Sequence, residues 1–274
     1  MRPVGDPAPG RGEREPGAMD YAPDQLAPLS DVRQEGLRLV QAAAERGLPV
    51  RLIGGVAVWA RCPSAKLPQL HRDYGDVDII SLRKVSRNLI RFAESMGYQP
   101  DKLFNALHGA QRLNFTDAAT GRPLDVLLDR FAMCHTIDLR DRLVIDPVTI
   151  GLADLLLTKL QVVRINRKDL LDLTALLADH PLGGPEAGSI DLGRLTSVLG
   201  KDWGFEHTTR LNLAKLRDSV TGFGLPDAVS STVGDRVAGI LAGLDEGSKS
   251  LGWHMRARVG ERVQWYELPE DVRH

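Results

Sequence analysis

The run Asp76-Val77-Asp78-Ile79-Ile80 alternates acidic and apolar side chains, a pattern that suits an extended strand with one face in a core. Successive strand side chains point to opposite faces, so Asp76 and Asp78 share one, their Cα atoms about 6–7 Å apart. Like charges held so close repel unless a cation lies between them. A lone pair of this kind is common and usually marks a solvated strand face. Its meaning therefore depends on what flanks it.

Upstream, Pro49 to Ile53 (PVRLI) reads as a short buried strand that meets Gly54-Gly55 and turns into a helix, VAVWA. Glycines there admit a phosphate close to the backbone, and the helix N-terminus adds a favourable dipole. A tight turn that needs positive φ explains the same pair without any ligand. Arg72 precedes Asp76 by four residues and is placed either to meet a polyphosphate or to hold the loop from Cys62 to Tyr74. Downstream, Asp125 opens the strand PLDVLLD. If that strand lies beside the first, it completes a set of three carboxylates able to hold divalent metal. Lys159 sits in a helical pattern among Leu155, Leu156 and Leu160, where a lysine needs a partner or a route to water.

The chain organises around these residues. Residues 1–28 are rich in Pro, Gly and charge and read as a disordered leader. Ser30-Asp31, with Glu35 in the first turn, reads as a helix start. Residues 29–147 then run strand, helix, strand, helix (Leu82 to Met96) and two strands (Gln111 to Thr116 and Leu124 to Leu128) joined by the turn DAATGRP. This is a compact α/β unit with a small mixed sheet. Residues 148–274 read as a mostly helical region, with a linker PLGGPEAGS and a terminal edge strand over Arg262 to Leu268. Over its 274 residues the chain is 43% hydrophobic and 26% charged, with a net charge of -1, which fits a globular protein rather than a wholesale nucleic-acid binder. Two cysteines, Cys62 and Cys134, make no disulfide framework, and no apolar run is long enough for a membrane, so the expected location is cytoplasmic.

Taken together, Gly54-Gly55-x-Ala57, Arg72-x-x-x-Asp76-x-Asp78, Asp125, Lys159-Leu160 and Lys168-Asp169-x-x-Asp172 resemble the AbiEii-type nucleotidyltransferases of the polymerase-beta-like superfamily. The likeness spans roughly residues 50–180. It implies an α/β (α+β) nucleotidyltransferase domain followed by the helical region. It implies Mg²⁺, or Mn²⁺, held by Asp76, Asp78 and Asp125, with Gly54, Gly55, Arg72 and Lys159 binding a nucleoside triphosphate. Asp169 becomes a further active-site carboxylate. Many members are toxins of toxin–antitoxin or phage-defence systems, which implies a tRNA or other RNA acceptor and a cognate antitoxin partner. The exposed-looking stripe Arg83, Lys84, Arg87 and Arg91 is a candidate RNA contact, or simply a solvated helix face. The chain departs from the superfamily at Gly55, where Ser is common, and at Tyr74, where Ser or Thr is common. A small cationic acceptor such as an aminoglycoside, or a site that binds without catalysis, are the alternative readings.

Overall fold

The structure, a computed structural model, describes residues 27–186 and 188–268. Residues 1–26 of the expected leader lie outside the described residues. The chain begins with helix α1 (Val32–Glu45), capped by the Asp31 carboxylate, which accepts from the amides of Arg33 and Gln34. Strand β1 (Arg51–Leu52) leads into helix α2 (Gly54–Arg61). After two short 3₁₀ turns come strand β2 (Val77–Ser81), helix α3 (Ser86–Ser95), strand β3 (Tyr98–Pro100), helix α4 (Lys102–His108), strand β4 (Arg112–Asp117) and strand β5 (Pro123–Leu128).

These strands form one five-stranded mixed sheet in the order β1-β2-β5-β4-β3. β2 and β5 run parallel at the centre, and the other neighbours are antiparallel. The turn DAATGRP does close a hairpin between β4 and β5, with Gly121 supplying a positive φ of 74°. Along β5 every second side chain is buried, so Asp125 and Leu127 face away from the core that Leu124, Val126 and Leu128 enter. In α3, Leu89, Phe92 and Ala93 face inward while Arg87 and Arg91 are exposed, the one-sided pattern of a helix lying on a sheet.

A small hairpin of β6 (Arg130–Ala132) and β7 (Thr136–Asp138) follows β5. Helix α5 (Leu152–Leu160) is buried on nearly all sides: Leu155, Leu156, Leu157 and Leu160 are fully buried, each burial contributing about 1.5–3 kcal/mol, and the buried Asp154 is paired with Arg142 and Arg194. Such a helix belongs at the centre of a packed body. α5 touches α2, helix α6 (Arg167–Asp179), helix α7 (Leu192–Leu199) and helix α8 (Trp203–Val220). A two-residue parallel pair, β8 (Leu182–Gly183) with β9 (Ile190–Asp191), precedes α7. Helices α9 (Asp227–Glu246) and α10 (Leu251–Val259) complete the chain. One hydrophobic cluster runs from Leu39 to Leu244, so the sheet and the helical half share a core. Past Pro147 the chain lies along β1, with Leu52 donating to the Val148 carbonyl and accepting from Ile150. Among the described residues no helix is long and apolar enough to cross a membrane.

Three expectations change. β3, α4 and the β6–β7 hairpin were not foreseen. The helix over Leu82 to Met96 begins as a 3₁₀ turn, Arg83–Val85, and becomes α-helical only at Ser86. The expected edge strand over Arg262 to Leu268 is no strand: a 3₁₀ turn, Gly260–Arg262, leads into an irregular segment. That segment lies against α8 and the turn of the β6–β7 hairpin and joins no strand ladder. Its Glu267 amide bonds the Cys134 carbonyl, and its Trp265 indole bonds the Thr208 hydroxyl. Alternation alone makes no strand without a neighbour to pair with.

Candidate active site

Gly54 opens α2 with φ +66°, a left-handed conformation that costs glycine nothing. A Cβ at this position would fall on the Asp78 carboxylate, so the missing side chain is what lets β2 and the start of α2 close together. The Ile53 amide also bonds the Asp78 carbonyl at 3.0 Å. At Gly55 the space of a Cβ is filled by the Arg72 guanidinium. Close approach thus favours glycine at both positions, to a carboxylate at Gly54 and to a cation at Gly55, and the left-handed backbone adds to it at Gly54.

Asp78 and Asp125 are register partners on the central parallel strands. Their side chains stand on the same, half-buried face. Burial first, and then the Asp76 and Asp125 carboxylates, push the Asp78 carboxyl up to about 8, against the opposing pull of Lys159 and Arg112. Among the described residues neither the Asp76 nor the Asp78 carboxylate accepts a hydrogen bond or forms an ion pair. Asp125 differs, because Arg112 from β4 grips it with both ends of its guanidinium, Nε to Oδ1 at 2.6 Å.

Lys159 is held as tightly. Its Nζ lies 2.8 Å from Asp172 and 3.3 Å from Asp169, both on α6. Burial alone would lower the Lys159 ammonium, but Asp172 and Asp169 outweigh it and the net shift is upward. Asp172 also takes Arg72 at 3.0 Å, and Arg72 rests 4.7 Å above the Tyr74 ring. Asn166 caps α6 by accepting from the Asp169 amide, which fixes the start of the helix that carries both acids.

One cavity of about 1070 Å³ joins these groups. Gly54, Asp76, Asp78, Asp125, Lys159 and Asp169 all line it, although they come from residues 54 to 169 of the chain. Gly55 and Arg72 do not; they lie behind the wall, where Arg72 links the α2 turn to Asp172. The basic stripe Arg83, Lys84, Arg87 and Arg91 is exposed and lines no part of the cavity. The sequence reading assigned no role to Arg112 or Asp172. Asp172 carried a signal, since it follows Asp169 by three residues and so shares its helix face. Arg112 carried none, because its pairing with Asp125 exists only across the β4–β5 ladder.

The donor set at Asp76 and Asp78 suits a hard divalent cation: two carboxylates without protein donors, the number with which Mg²⁺ is often held beside phosphate oxygens. Among the described residues no three His, Cys, Asp or Glu side chains are gathered to hold a metal as they stand, and Asp125 is engaged by Arg112. No protein-family model and no curated protein matches this chain.

Proposed function

We propose that this chain is a metal-dependent nucleotidyltransferase, moving a nucleoside monophosphate from a nucleoside triphosphate to an acceptor hydroxyl with release of pyrophosphate. The observation that supports it most is the carboxylate pair Asp78 and Asp125 on adjacent parallel strands, set against the glycine turn at the start of α2. The free amides of that turn suit phosphate oxygens. Asp76 and Asp78 are the residues to hold a cation, Mg²⁺ or Mn²⁺, which supplies charge neutralisation at the phosphates. Lys159, kept rigid by Asp169 and Asp172, presents a fixed positive charge on the cavity wall. Asp125, oriented by Arg112, accepts the proton of the acceptor hydroxyl as that oxygen bonds the α-phosphorus and the bond to pyrophosphate breaks.

For the acceptor, the family resemblance points to tRNA or another RNA, in a toxin–antitoxin or phage-defence setting with an antitoxin partner. The cavity favours a second reading. Its lining includes the carboxylates Asp76, Asp78, Asp125, Asp169 and Glu267 against the cations Arg112 and Lys159, and the basic stripe is elsewhere. An acidic lining suits a small cationic acceptor.

The test is incubation with Mg²⁺, each labelled nucleoside triphosphate in turn, and either total RNA or a panel of aminoglycosides. Label is expected on one acceptor class, with loss of about a thousand-fold or more in Asp78→Asn. Undiminished transfer by that variant would overturn the reading.

A further inference from the structure

The cavity does not end at the carboxylates. From Asp125 its lining continues through Leu127, two residues along the same face of β5, to Phe131 on β6 and Met133 in the hairpin turn. Beside Met133, the Cys134 carbonyl receives the amide of Glu267, which brings the C-terminal segment to the cavity; Tyr266 and Leu268 line it. Arg112, the register partner of Leu127 on β4, lies under the Phe104 ring of α4 at 5.9 Å from its centroid. Phe104 in turn sits 4.6 Å from the His108 ring. The lining therefore grades from oxygen-rich at Asp76 and Asp78 to ring-rich at Phe104, Phe131 and Tyr266.

The segment that carries Tyr266 is anchored, not loosely laid. Trp265 bonds Thr208 at 3.1 Å and meets Trp203 and His207 edge-on at 6.4 and 5.0 Å. Gly204 of α8 has no side chain where the Trp265 backbone and ring come closest. Arg256 of α10 donates to the Gly260 and Val263 carbonyls and fixes the approach. Tyr266 is only half-buried, with its neighbour's indole pinned on one side and the cavity on the other.

We propose that this ring-rich end is a nucleobase subsite, and that Tyr266, supplied by the C-terminal segment, is its principal stacking residue. The proposal rests on the nucleotidyltransferase reading of the same cavity. A nucleobase presents a flat face with polar edges. Aromatic side chains recognise such faces with little regard to sequence, each stack contributing a measurable share of affinity. The base is that of the nucleoside triphosphate or of the acceptor's terminal nucleotide, and the experiment separates the two.

Binding is measured by titration calorimetry in Mg²⁺ buffer for wild type, Tyr266→Leu and Phe104→Leu. The probes are the four nucleoside triphosphates, inorganic tripolyphosphate and a short single-stranded ribo-oligonucleotide. The two variants lie on separate elements, so a folding defect in one does not remove the test. For the triphosphate as the source, the variants weaken nucleoside triphosphate binding about ten-fold and leave tripolyphosphate unchanged. For the acceptor as the source, the same weakening falls on the oligonucleotide alone. Equal affinity of wild type and variants for every probe, with the triphosphates bound, overturns the subsite and leaves the proposed function standing. Binding of neither triphosphates nor tripolyphosphate by wild type overturns the nucleotidyltransferase reading and the subsite with it.

Discussion

Glu35 on α1 and Asp78 on β2 are acids on elements packed against each other, and the fold treats them in opposite ways. Glu35 is fully buried on α1 and receives four donors: the Leu29 amide at 2.9 Å, Arg38 at 2.7 and 2.8 Å, and the Tyr98 hydroxyl at 2.8 Å. The Asp78 carboxylate receives none from the described residues, and faces two further carboxylates instead. A buried charge with its partners in place holds structure together; one without them is held at a cost that a proton or a cation removes. The first arrangement ties α1 to β3, and the second leaves a position ready for a cation.

The contrast can be broken at its satisfied end first. Glu35→Ala removes the carboxylate that takes Arg38, the Leu29 amide and the Tyr98 hydroxyl, and is expected to lower unfolding free energy by about 3–5 kcal/mol in a urea titration. The Lys159 network is the next test. Asp172→Ala leaves both Lys159 and Arg72 short of a partner, for an expected loss of about 2–4 kcal/mol, and it should also weaken nucleoside triphosphate binding by loosening Lys159.

At the unsatisfied end the sign reverses. The folded-state pKa of Asp78 is raised to about 8, so ionising the group is harder in the folded chain than in the unfolded one. Its contribution to stability is neutral below about pH 4, falls as pH rises towards 8, and is constant beyond. Asp78→Asn is therefore expected to stabilise the metal-free protein by about 1–3 kcal/mol at pH 8, and by little at pH 4, in denaturation with a chelator present. A variant no more stable than wild type at pH 8 would place Asp78 among the satisfied acids. The smallest effect is expected at Tyr74→Leu, which removes the ring beneath Arg72 and should cost about 0.5–1 kcal/mol without changing the reaction.

Much of the scaffold was legible because its signals are local. The Asp31 cap, the β4–β5 turn, the alternation in β2 and β5 and the one-sided apolar spacing of α3 each act within a few residues. β3 was not legible: Tyr98–Pro100 is three residues long, ends in proline, and is a strand only because β4 pairs with it. α4 was hidden by its own composition, since Leu103 and Leu107 are 72% and 70% exposed and break the expected rule that apolar spacing marks the buried face. The terminal segment failed in the opposite sense, with strand-like alternation but no strand to join.

The candidate site divides along the same line. Residue types and short spacings by themselves determined that Gly54-Gly55 turns a strand into a helix, that Asp76 and Asp78 share a face, and that Lys159 needs partners. Tertiary structure alone decided that Asp78 stands opposite Asp125, that Arg112 takes Asp125 while Asp76 and Asp78 stay free, that Arg72 is drawn behind the wall to Asp172, and that Tyr266 reaches the cavity. The reason is physical: side-chain period sets which face a residue takes, within a turn or two of its own element. Which distant face it meets depends on strand register and helix packing summed over the whole core, and no short stretch of chain carries that sum.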